Sequence, residues 1–356
     1  MGLQNRNIGN EIGLSSRRNW LGIADTPGKI FYVDPRGPQY GSGNDNHAGT
    51  SWQDAFATIQ AAVNACVDKR GDIIFVGGAA NAANTSYFPG STTYPDYRKI
   101  KENVLITKAN VHILAVPFKG EWSHQVRASD GAGDYLEAHP GTRTVYPVSL
   151  YSQVVTSETA FVVCARDVEI AGFCIDVGGG EAGIYIGDGS GVTGSGGSSY
   201  DSSAAYIHHN LIRGGSEGTQ SAGIILQGCG SGVVIEDNII EQCGGVGLYV
   251  GAGSGKTNQR PLIQHNVFND NKGYGVYIYG INTNRGVTID GNDFLDGDNT
   301  MAAGVKCGAE GSSSHTLIAN NRFACATPLD ITTADYISGN FKCTTSTTTE
   351  TYISEA

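Results

Sequence analysis

Acidic side chains recur at fixed positions in the second half of the chain, and carboxylates in such positions can carry out acid–base chemistry. Glu236 and Asp237 stand side by side, and Asp270 and Asp296 occupy equivalent places in two successive repeats. Hydrolysis of a glycosidic bond requires two carboxyl groups about 5–9.5 Å apart, one of them protonated. These four residues are therefore candidate catalytic acids. Any acidic position in a regular repeat gives such a spacing, so solvated turn residues are the alternative.

Two variable positions precede an asparagine in each repeat. The first holds His208, Glu236, Gln264 and Asp290, and the second holds His209, Asp237, His265 and Gly291. Cleavage of an acidic polysaccharide by elimination would need a basic side chain beside a Ca²⁺ ion held by carboxylates. Arg213 and Lys256 are candidates for that base by their chemistry alone. No acidic segment has the regular spacing of a Ca²⁺ loop, so no metal and no cofactor is predicted.

A second motif in each repeat contains a glycine, as in Val246-Gly-Leu-Tyr-Val250, and places the residue two positions after that glycine on the outside of a short strand. That outward column consists of Tyr185, Ile225, Tyr249, Tyr277 and Lys306, with Tyr279 nearby. An exposed column with three tyrosines is unusual for the surface of a monomer. Tyrosine combines a flat apolar ring with a polar tip. The column predicts packing against a second subunit, stacking on sugar rings, or stacking that only stabilises the sheet.

The elements that position these side chains follow from the repeat itself. An isoleucine, two variable residues and an asparagine recur, with asparagine spacings of 28, 28, 26 and 29 residues. The asparagines are Asn210, Asn238, Asn266, Asn292 and Asn321. A fixed period in the twenties indicates a solenoid. Short strands separated by Gly, Asn and Asp turns favour an all-β, right-handed parallel β-helix.

The recurring asparagine has two physical explanations. A tight turn favours a residue that tolerates the left-handed region, which asparagine does. In stacked coils its amides lie about 4.8 Å apart and can form a hydrogen-bonded ladder. We therefore interpret the asparagines as structural and not catalytic. Residues 337–341 resemble a last, shortened coil, and Phe173 takes the place of the asparagine in an early coil.

The N-terminal region predicts a cap for the solenoid. Residues 30–35 and 71–76 have strand patterns, and residues 49–66 carry an apolar stripe at helical spacing with Thr50 or Ser51 as the N-cap. Such a helix would cover the hydrophobic end of a solenoid. Together, the 47 residues from 30 to 76 resemble the opening module of the pectin-lyase-like right-handed parallel β-helix superfamily, a fold also found in phage tail-spike, fibre and virion surface proteins.

Four segments are expected along the chain. Residues 1–28 form an N-terminal arm that anchors to a partner, and residues 29–76 form the N-terminal module of the β-helix with its capping helix. Residues 77–343 form the β-helix with loop insertions, and residues 344–356 form a C-terminal tail or cap.

Composition restricts the function classes. The net charge of −11 argues against a nucleic-acid partner, because phosphate binding requires a basic surface. No apolar run is long enough to span a membrane, and the N-terminus shows no apolar signal-peptide segment. The eight cysteines form no CxxC pair, which predicts buried thiols, with a disulfide between coils as the alternative.

Two functions fit these patterns. The first is a viral structural protein on the virion surface, such as a tail-spike, fibre or capsid-decoration protein. It would assemble as a homotrimer, contact other virion proteins through its arm and bind host glycans. The second is an extracellular polysaccharide lyase or glycoside hydrolase. The tyrosine column favours the first, and the acidic positions favour the second.

Overall fold

The computed structural model describes most of the repeating region and parts of the rest. It describes residues 28–35, 43–77, 99–100, 102–116, 153–156, 159–177, 182–187, 201–214, 222–251, 257–279, 284–297, 300–308, 316–331, 336–343 and 350–353. The expected arm at 1–28 lies almost wholly outside these residues, as does Lys256. Two of the loop insertions expected within residues 77–343, at 86–97 and 122–146, also lie outside them.

The chain winds through three long sheets in turn, and a short fourth sheet forms at one corner of several coils. Every hydrogen-bonded strand pair of the coils is parallel, and each strand pairs with its counterpart one coil away. The predicted parallel β-helix is confirmed. Its register follows the repeat, because Ile207, Ile235 and Ile263 are paired directly with one another.

The strands are short. Sheet 1 contains Ile30–Val33, Asp72–Gly77, Val111–Val116, Glu169–Ala171, Tyr206–His208, Val234–Glu236, Leu262–Gln264, Thr288–Asp290, Leu317–Ala319 and Tyr336–Ser338. Sheet 2 contains Lys99–Ile100, Gln153–Thr156, Cys174–Val177, Leu211–Gly214, Ile239–Glu241, Val267–Asn269, Asp293–Leu295, Arg322–Ala324, Asn340–Cys343 and Glu350–Ile353.

The third and fourth sheets complete each coil. Sheet 3 contains Val104–Ile106, Phe161–Val163, Ala182–Gly187, Ala222–Gln227, Val246–Gly251, Tyr274–Ile278, Ala303–Cys307 and Leu329–Ile331. Sheet 4 contains Gly230–Ser231, Asn258–Gln259 and Asn284–Arg285. At the C-terminal end, Glu350–Ile353 turns back and pairs antiparallel with Asn340–Cys343.

Aliphatic and aromatic columns fill the interior. Phe268, Phe294 and Phe323 are fully buried and stack in successive coils, with ring centroids 5.0 and 4.7 Å apart and nearly parallel planes. All eight cysteines lie within the described residues as free thiols, and all except Cys343 are buried. Burial raises the pKa of Cys243 to about 12, so this thiol is unreactive at neutral pH. The prediction of buried thiols is confirmed.

The asparagine ladder is confirmed at the corner between sheets 1 and 2. Each side-chain amide donates to the Oδ1 of the next asparagine at 3.0–3.1 Å, from Asn210 through to Asn340. Phe173 closes the ladder at its N-terminal end, where its main-chain N–H donates to Asn210 Oδ1 at 3.0 Å. These asparagines are buried, which keeps them away from any substrate.

The expectation that these asparagines occupy the left-handed region was wrong. The residue before each one does so instead, with φ of 54° at His209, 53° at Asp237 and 55° at His265. The asparagine side chain must point into the coil to meet its neighbours. The chain therefore makes its sharp bend one residue earlier, where the side chain points outward.

The N-terminal helix is shorter than predicted and begins later. A 3-10 turn at Trp52–Asp54 precedes an α-helix at Ile59–Ala65, which is capped by Thr58 and not by Thr50 or Ser51. Phe56 lies in an extended segment that joins sheet 1, because its N–H donates to the carbonyl oxygen of Tyr32. These backbone pairings compete with the helix and delay its start.

Two carboxylates fix the new starting point of that helix. Asp45 accepts hydrogen bonds from the main-chain N–H groups of Ala57 and Thr58 at 2.8 and 2.9 Å. Glu102 accepts from the N–H groups of Ile59 and Gln60 at 3.1 Å each. The first N–H groups of a helix have no partner within the helix, so these carboxylates stabilise its N-terminus.

Candidate functional site

The outward column on sheet 3 has the predicted register. Tyr185 is paired with Ile225, Ile225 with Tyr249, Tyr249 with Tyr277, and Tyr277 with Lys306. Because side chains alternate across a strand, all five lie on the outer side of the sheet. The column then ends at Asp330, which accepts a hydrogen bond from Lys306 Nζ at 2.9 Å.

Tyr185 differs from its counterparts in exposure. Only 2% of its surface is exposed, and it packs with Val162 and Cys164 in a second apolar cluster outside the coil. The expectation that Tyr185 forms part of an exposed column was therefore wrong. The N-terminal part of sheet 3 is covered where Tyr185 lies, whereas the C-terminal part of the same sheet is accessible.

Four tyrosines form the accessible part, here called the tyrosine face: Tyr249, Tyr274, Tyr277 and Tyr279. The ring centroids of Tyr249 and Tyr277 are 5.7 Å apart, and Tyr279 lies 6.4 and 5.9 Å from them. Tyr274 lies 5.2 Å from Tyr277. Tyr279 is 47% exposed, while the other three are half-buried. The result is a continuous aromatic surface across two coils.

Contacts with neighbouring residues restrain two of the rings of the tyrosine face. A Cβ atom at Gly251 would lie only 2.2 Å from a ring carbon of Tyr249, so the ring passes directly over this glycine. Lys306 Nζ lies 5.0 Å from the centre of the Tyr274 ring, a cation–π distance. Burial raises the pKa of Tyr249 and Tyr277, so their hydroxyls remain protonated and can donate hydrogen bonds at neutral pH.

The four candidate acids do not form an open catalytic pair. Glu236 accepts hydrogen bonds from the Tyr206 hydroxyl and the Gln264 amide. Asp296 is buried, and its Oδ1 accepts from the main-chain N–H groups of Thr300 and Met301.

The other two candidates and the candidate base also have structural contacts. Asp270 accepts from the N–H of Gly297 at 2.7 Å, and Asp237 occupies the sharp bend between sheets 1 and 2. Arg213 forms an ion pair with Glu241 at 2.7 Å, both largely buried, so it is not an accessible base.

A charged cluster that the sequence did not predict lies on the outer side of sheet 1. Glu169 accepts from His112 Nδ1 at 2.6 Å through one carboxylate oxygen and from His208 Nε2 at 2.9 Å through the other. His208 Nδ1 is also 2.8 Å from His209 Nδ1, and the ring of Tyr206 stacks on His208 with centroids 4.0 Å apart.

The electrostatics of this cluster keep Glu169 ionised. Burial alone would raise its pKa, but the hydrogen bonds and charges of His112 and His208 outweigh burial and lower it to about 2. A carboxylate that stays ionised at neutral pH cannot serve as a general acid. Burial also lowers the pKa of His209, which favours a neutral ring at neutral pH.

Alignment of three strands of sheet 1 with one another could have revealed the Glu169 cluster from the sequence. His112, Glu169 and Tyr206 each precede an inward isoleucine and are paired in register. The insertion between 117 and 150 breaks the period, which hides this equivalence in the sequence.

Acid is expected to weaken the fold through Glu169. Because the pKa in the folded protein lies below its usual value near 4.5, the stabilisation is complete above that value and is lost as pH falls toward about 2. The lowered pKa of Glu169 corresponds to a stabilisation of the folded state by about 3 kcal/mol. Urea midpoints measured between pH 7 and pH 3 should show more than half of this loss in the wild type. Glu169→Gln should be less stable at pH 7 and show a flatter profile, whereas Asp290→Asn on the same sheet face should keep the wild-type profile.

Within the described residues, no three histidine, cysteine or acidic side chains are arranged to hold a metal ion. In the same part of the chain, no helix is long and apolar enough to cross a membrane.

Comparison with known proteins supports the fold. Residues 166–323 match the family described as the right-handed beta helix region. The expected right-handed parallel β-helix is thereby confirmed. No curated protein sequence matches the chain significantly.

Solved structures with a similar fold come from several functional classes. XylC in complex with xylose is 11% identical with a TM-score of 0.47, over 88% of this chain and 68% of that one. ORF18 of Geobacillus virus E2 is 13% identical with a TM-score of 0.44, over 93% and 64%. A mannuronic acid specific polysaccharide family 6 lyase from human gut microbiota is 12% identical with a TM-score of 0.45, over 88% and 59%. The chain thus spans about two thirds or less of the length of these proteins.

Proposed function

We propose that this right-handed parallel β-helix is a structural protein of a virus-particle surface, of the tail-spike, fibre or capsid-decoration kind, and that its tyrosine face binds a host glycan. The observation that carries the proposal is the aromatic surface of Tyr249, Tyr274, Tyr277 and Tyr279 on a rigid sheet.

The tyrosine face has the chemistry that a sugar requires. A pyranose ring presents a flat face of C–H groups and a rim of hydroxyls. A tyrosine offers an apolar ring to the first and a hydroxyl to the second. Tyr249 and Tyr277 are fixed by each other and by the sheet, so little side-chain entropy is lost on binding. Lys306 and Asp330 add a polar pair at the end of the same column.

The contacts of the candidate carboxylates, among the described residues, favour glycan binding over glycan cleavage. Glu236, Asp270 and Asp296 all accept hydrogen bonds from neighbouring protein groups. Glu169 is ionised and enclosed between two histidines. A polysaccharide lyase or glycoside hydrolase would need an accessible protonated acid or an accessible base.

The proposal includes a homotrimer in which residues 1–28 contact other virion proteins. Those residues lie outside the described part of the chain, so this part of the proposal rests on the sequence. The apolar residues of the N-terminal arm, among them Trp20 and Leu21, are the anchors that such an arm would use to bind a partner.

The test is a double variant, Tyr249→Ser with Tyr277→Ser. Binding of purified bacterial surface polysaccharides should fall by about tenfold or more, because two stacking rings are lost. Tyr336→Ser is the matched control, since this tyrosine is 66% exposed on sheet 1, away from the tyrosine face. Circular dichroism should show that both proteins keep the wild-type fold.

Absence of binding by the wild type to every polysaccharide of a broad panel would contradict the proposal. Binding by the double variant as tight as that of the wild type would also contradict it. If light scattering shows that the double variant dissociates while glycan binding per chain is retained, the tyrosine face is a subunit interface. New reducing ends or unsaturated uronates in the same incubations would instead establish the enzymatic alternative.

A further inference from the structure

Most arginines in the described part of the chain form ion pairs, but two neighbouring ones do not. Six arginines lie in this part of the chain. Four of them form ion pairs: Arg70 with Asp72, Arg166 with Asp201, Arg213 with Glu241 and Arg322 with Asp293. Among the described residues, no carboxylate lies within ion-pair distance of the other two, Arg260 and Arg285.

These two arginines are neighbours on adjacent coils. Arg285 is paired in register with Gln259, and the main-chain N–H of Arg260 donates to the carbonyl oxygen of Arg285 at 2.7 Å. Both residues are exposed. A Cβ atom at Gly286 would lie 3.4 Å from Arg260 Cγ, so the stem of Arg260 extends over the coil that carries Arg285. Two arginines without an ion-pair partner among the described residues thus lie on adjacent coils of a protein whose net charge is −11.

A buried asparagine pair makes this corner rigid. Asn258 Nδ2 donates to Asn284 Oδ1 at 2.7 Å, and both side chains are fully buried beneath the arginines. Asn258 also donates to the carbonyl oxygen of Gly251 at 2.7 Å. The backbone that carries the arginines is therefore preorganised, and a ligand does not need to order it.

The same asparagines connect the corner to the tyrosine face. Asn284 Nδ2 donates to the carbonyl oxygen of Tyr279 at 2.8 Å, and Arg285 follows directly. Gly251 ends the strand that carries Tyr249. Two hydrogen bonds therefore tie the backbone of the arginine corner to the ends of the strands that carry the tyrosine face.

We propose that Arg260 and Arg285 form a binding site for a phosphate group, and that the ligand class that fits the combined surface is a phosphate-bearing saccharide. Each guanidinium can donate two parallel hydrogen bonds to an oxyanion. A phosphate dianion neutralises both arginines, whereas a single carboxylate leaves one charge unbalanced. The saccharide part of this inference rests on the proposed glycan function, but the phosphate site does not.

Isothermal titration at pH 7.5 with inorganic phosphate, glucose 6-phosphate and glucose tests the site. The double variant Arg260→Gln with Arg285→Gln should bind inorganic phosphate at least about tenfold more weakly than the wild type. Arg285→Lys should lose part of the affinity, because lysine keeps the charge but not the planar fork. Arg166→Gln is the matched control: it removes an arginine from the same corner of the β-helix, but one that is already paired with Asp201.

The three ligands separate this inference from the proposed function. Glucose 6-phosphate should bind more tightly than inorganic phosphate, and Tyr249→Ser with Tyr277→Ser should remove that advantage. If both phosphate ligands bind equally and only the arginine variant weakens them, the phosphate site stands and its extension to a saccharide is wrong, while the polysaccharide panel decides the glycan function separately. If the wild type binds no phosphate, or the arginine double variant binds it as the wild type does, the phosphate site is wrong whatever the result with glycans.

Discussion

Replacement of Asn266 by leucine is expected to lower the free energy of unfolding by about 3–5 kcal/mol. The Oδ1 of Asn266 accepts from the main-chain N–H and the side-chain amide of Asn238, both at 3.0 Å. Its amide donates to the carbonyl oxygens of Ile235 and Gln264 at 2.9 Å and to Asn292 Oδ1 at 3.1 Å. Leucine has a similar size but removes all five hydrogen bonds in a buried place.

The size of this effect follows from where the partners lie. Asn238 and Asn292 are fully buried, so water cannot replace the lost hydrogen bonds. An unsatisfied buried polar group costs about 1–3 kcal/mol, and several are created together. The loss also divides the ladder, so the coils on either side are no longer connected through it.

Urea unfolding followed by circular dichroism measures this effect. His265→Asn is the matched control, because His265 precedes Asn266 in the same turn, is exposed and tolerates asparagine at its φ of 55°. Its unfolding midpoint should stay close to that of the wild type. Equal midpoints for Asn266→Leu and the wild type would show that the ladder contributes no stability.

The second large effect is expected for Gly275→Ala. A Cβ atom at this position would lie 2.5 Å from Cδ1 of Phe294 and 2.6 Å from the carbonyl oxygen of Gly304. Phe294 is held between Phe268 and Phe323 in the aromatic stack, so it cannot move aside freely. Overpacking of this kind costs about 3 kcal/mol or more when the neighbours include main-chain atoms.

Gly297→Ala provides the control for that substitution. Its Cβ atom would meet only the two carboxylate oxygens of Asp270, at ordinary contact distances of 3.5 and 3.9 Å. Thermal unfolding should therefore distinguish the two alanine variants clearly. Adding Phe294→Leu to Gly275→Ala should recover part of the loss, since the shorter side chain relieves the contact with the ring. A Gly275→Ala protein as stable as the Gly297→Ala protein would show that the stack adjusts at little cost.

Gly275 also explains a motif that the sequence presented without a reason. The glycines of three successive strands, Gly247, Gly275 and Gly304, each face one phenylalanine of the internal stack. The repeat shows the glycine and the phenylalanine separately, because they lie on different strands of the coil. Only the coiled chain shows that a small residue on sheet 3 accommodates a large one on sheet 2.

The repeat by itself determined the path of the described strands between residues 205 and 343. Strand alternation and a nearly constant period are local properties, so they fix which side chains point inward and which lie opposite one another one coil away. The asparagine ladder and the register of Tyr249 with Tyr277 follow from this and could be predicted.

Only the tertiary structure decided which side chains are covered by other parts of the chain. It also decided which residues distant in sequence contact one another. Tyr185 and Tyr249 share a column, yet one is buried and the other half-buried, because only the first is covered. Glu169 meets His112 and His208, which are 57 and 39 residues away in sequence and on either side of insertions. The N-terminal helix begins at Ile59 because Glu102, a residue 43 positions later, binds its first N–H group. A local pattern carries no information about such contacts, since they depend on how segments distant in sequence come together.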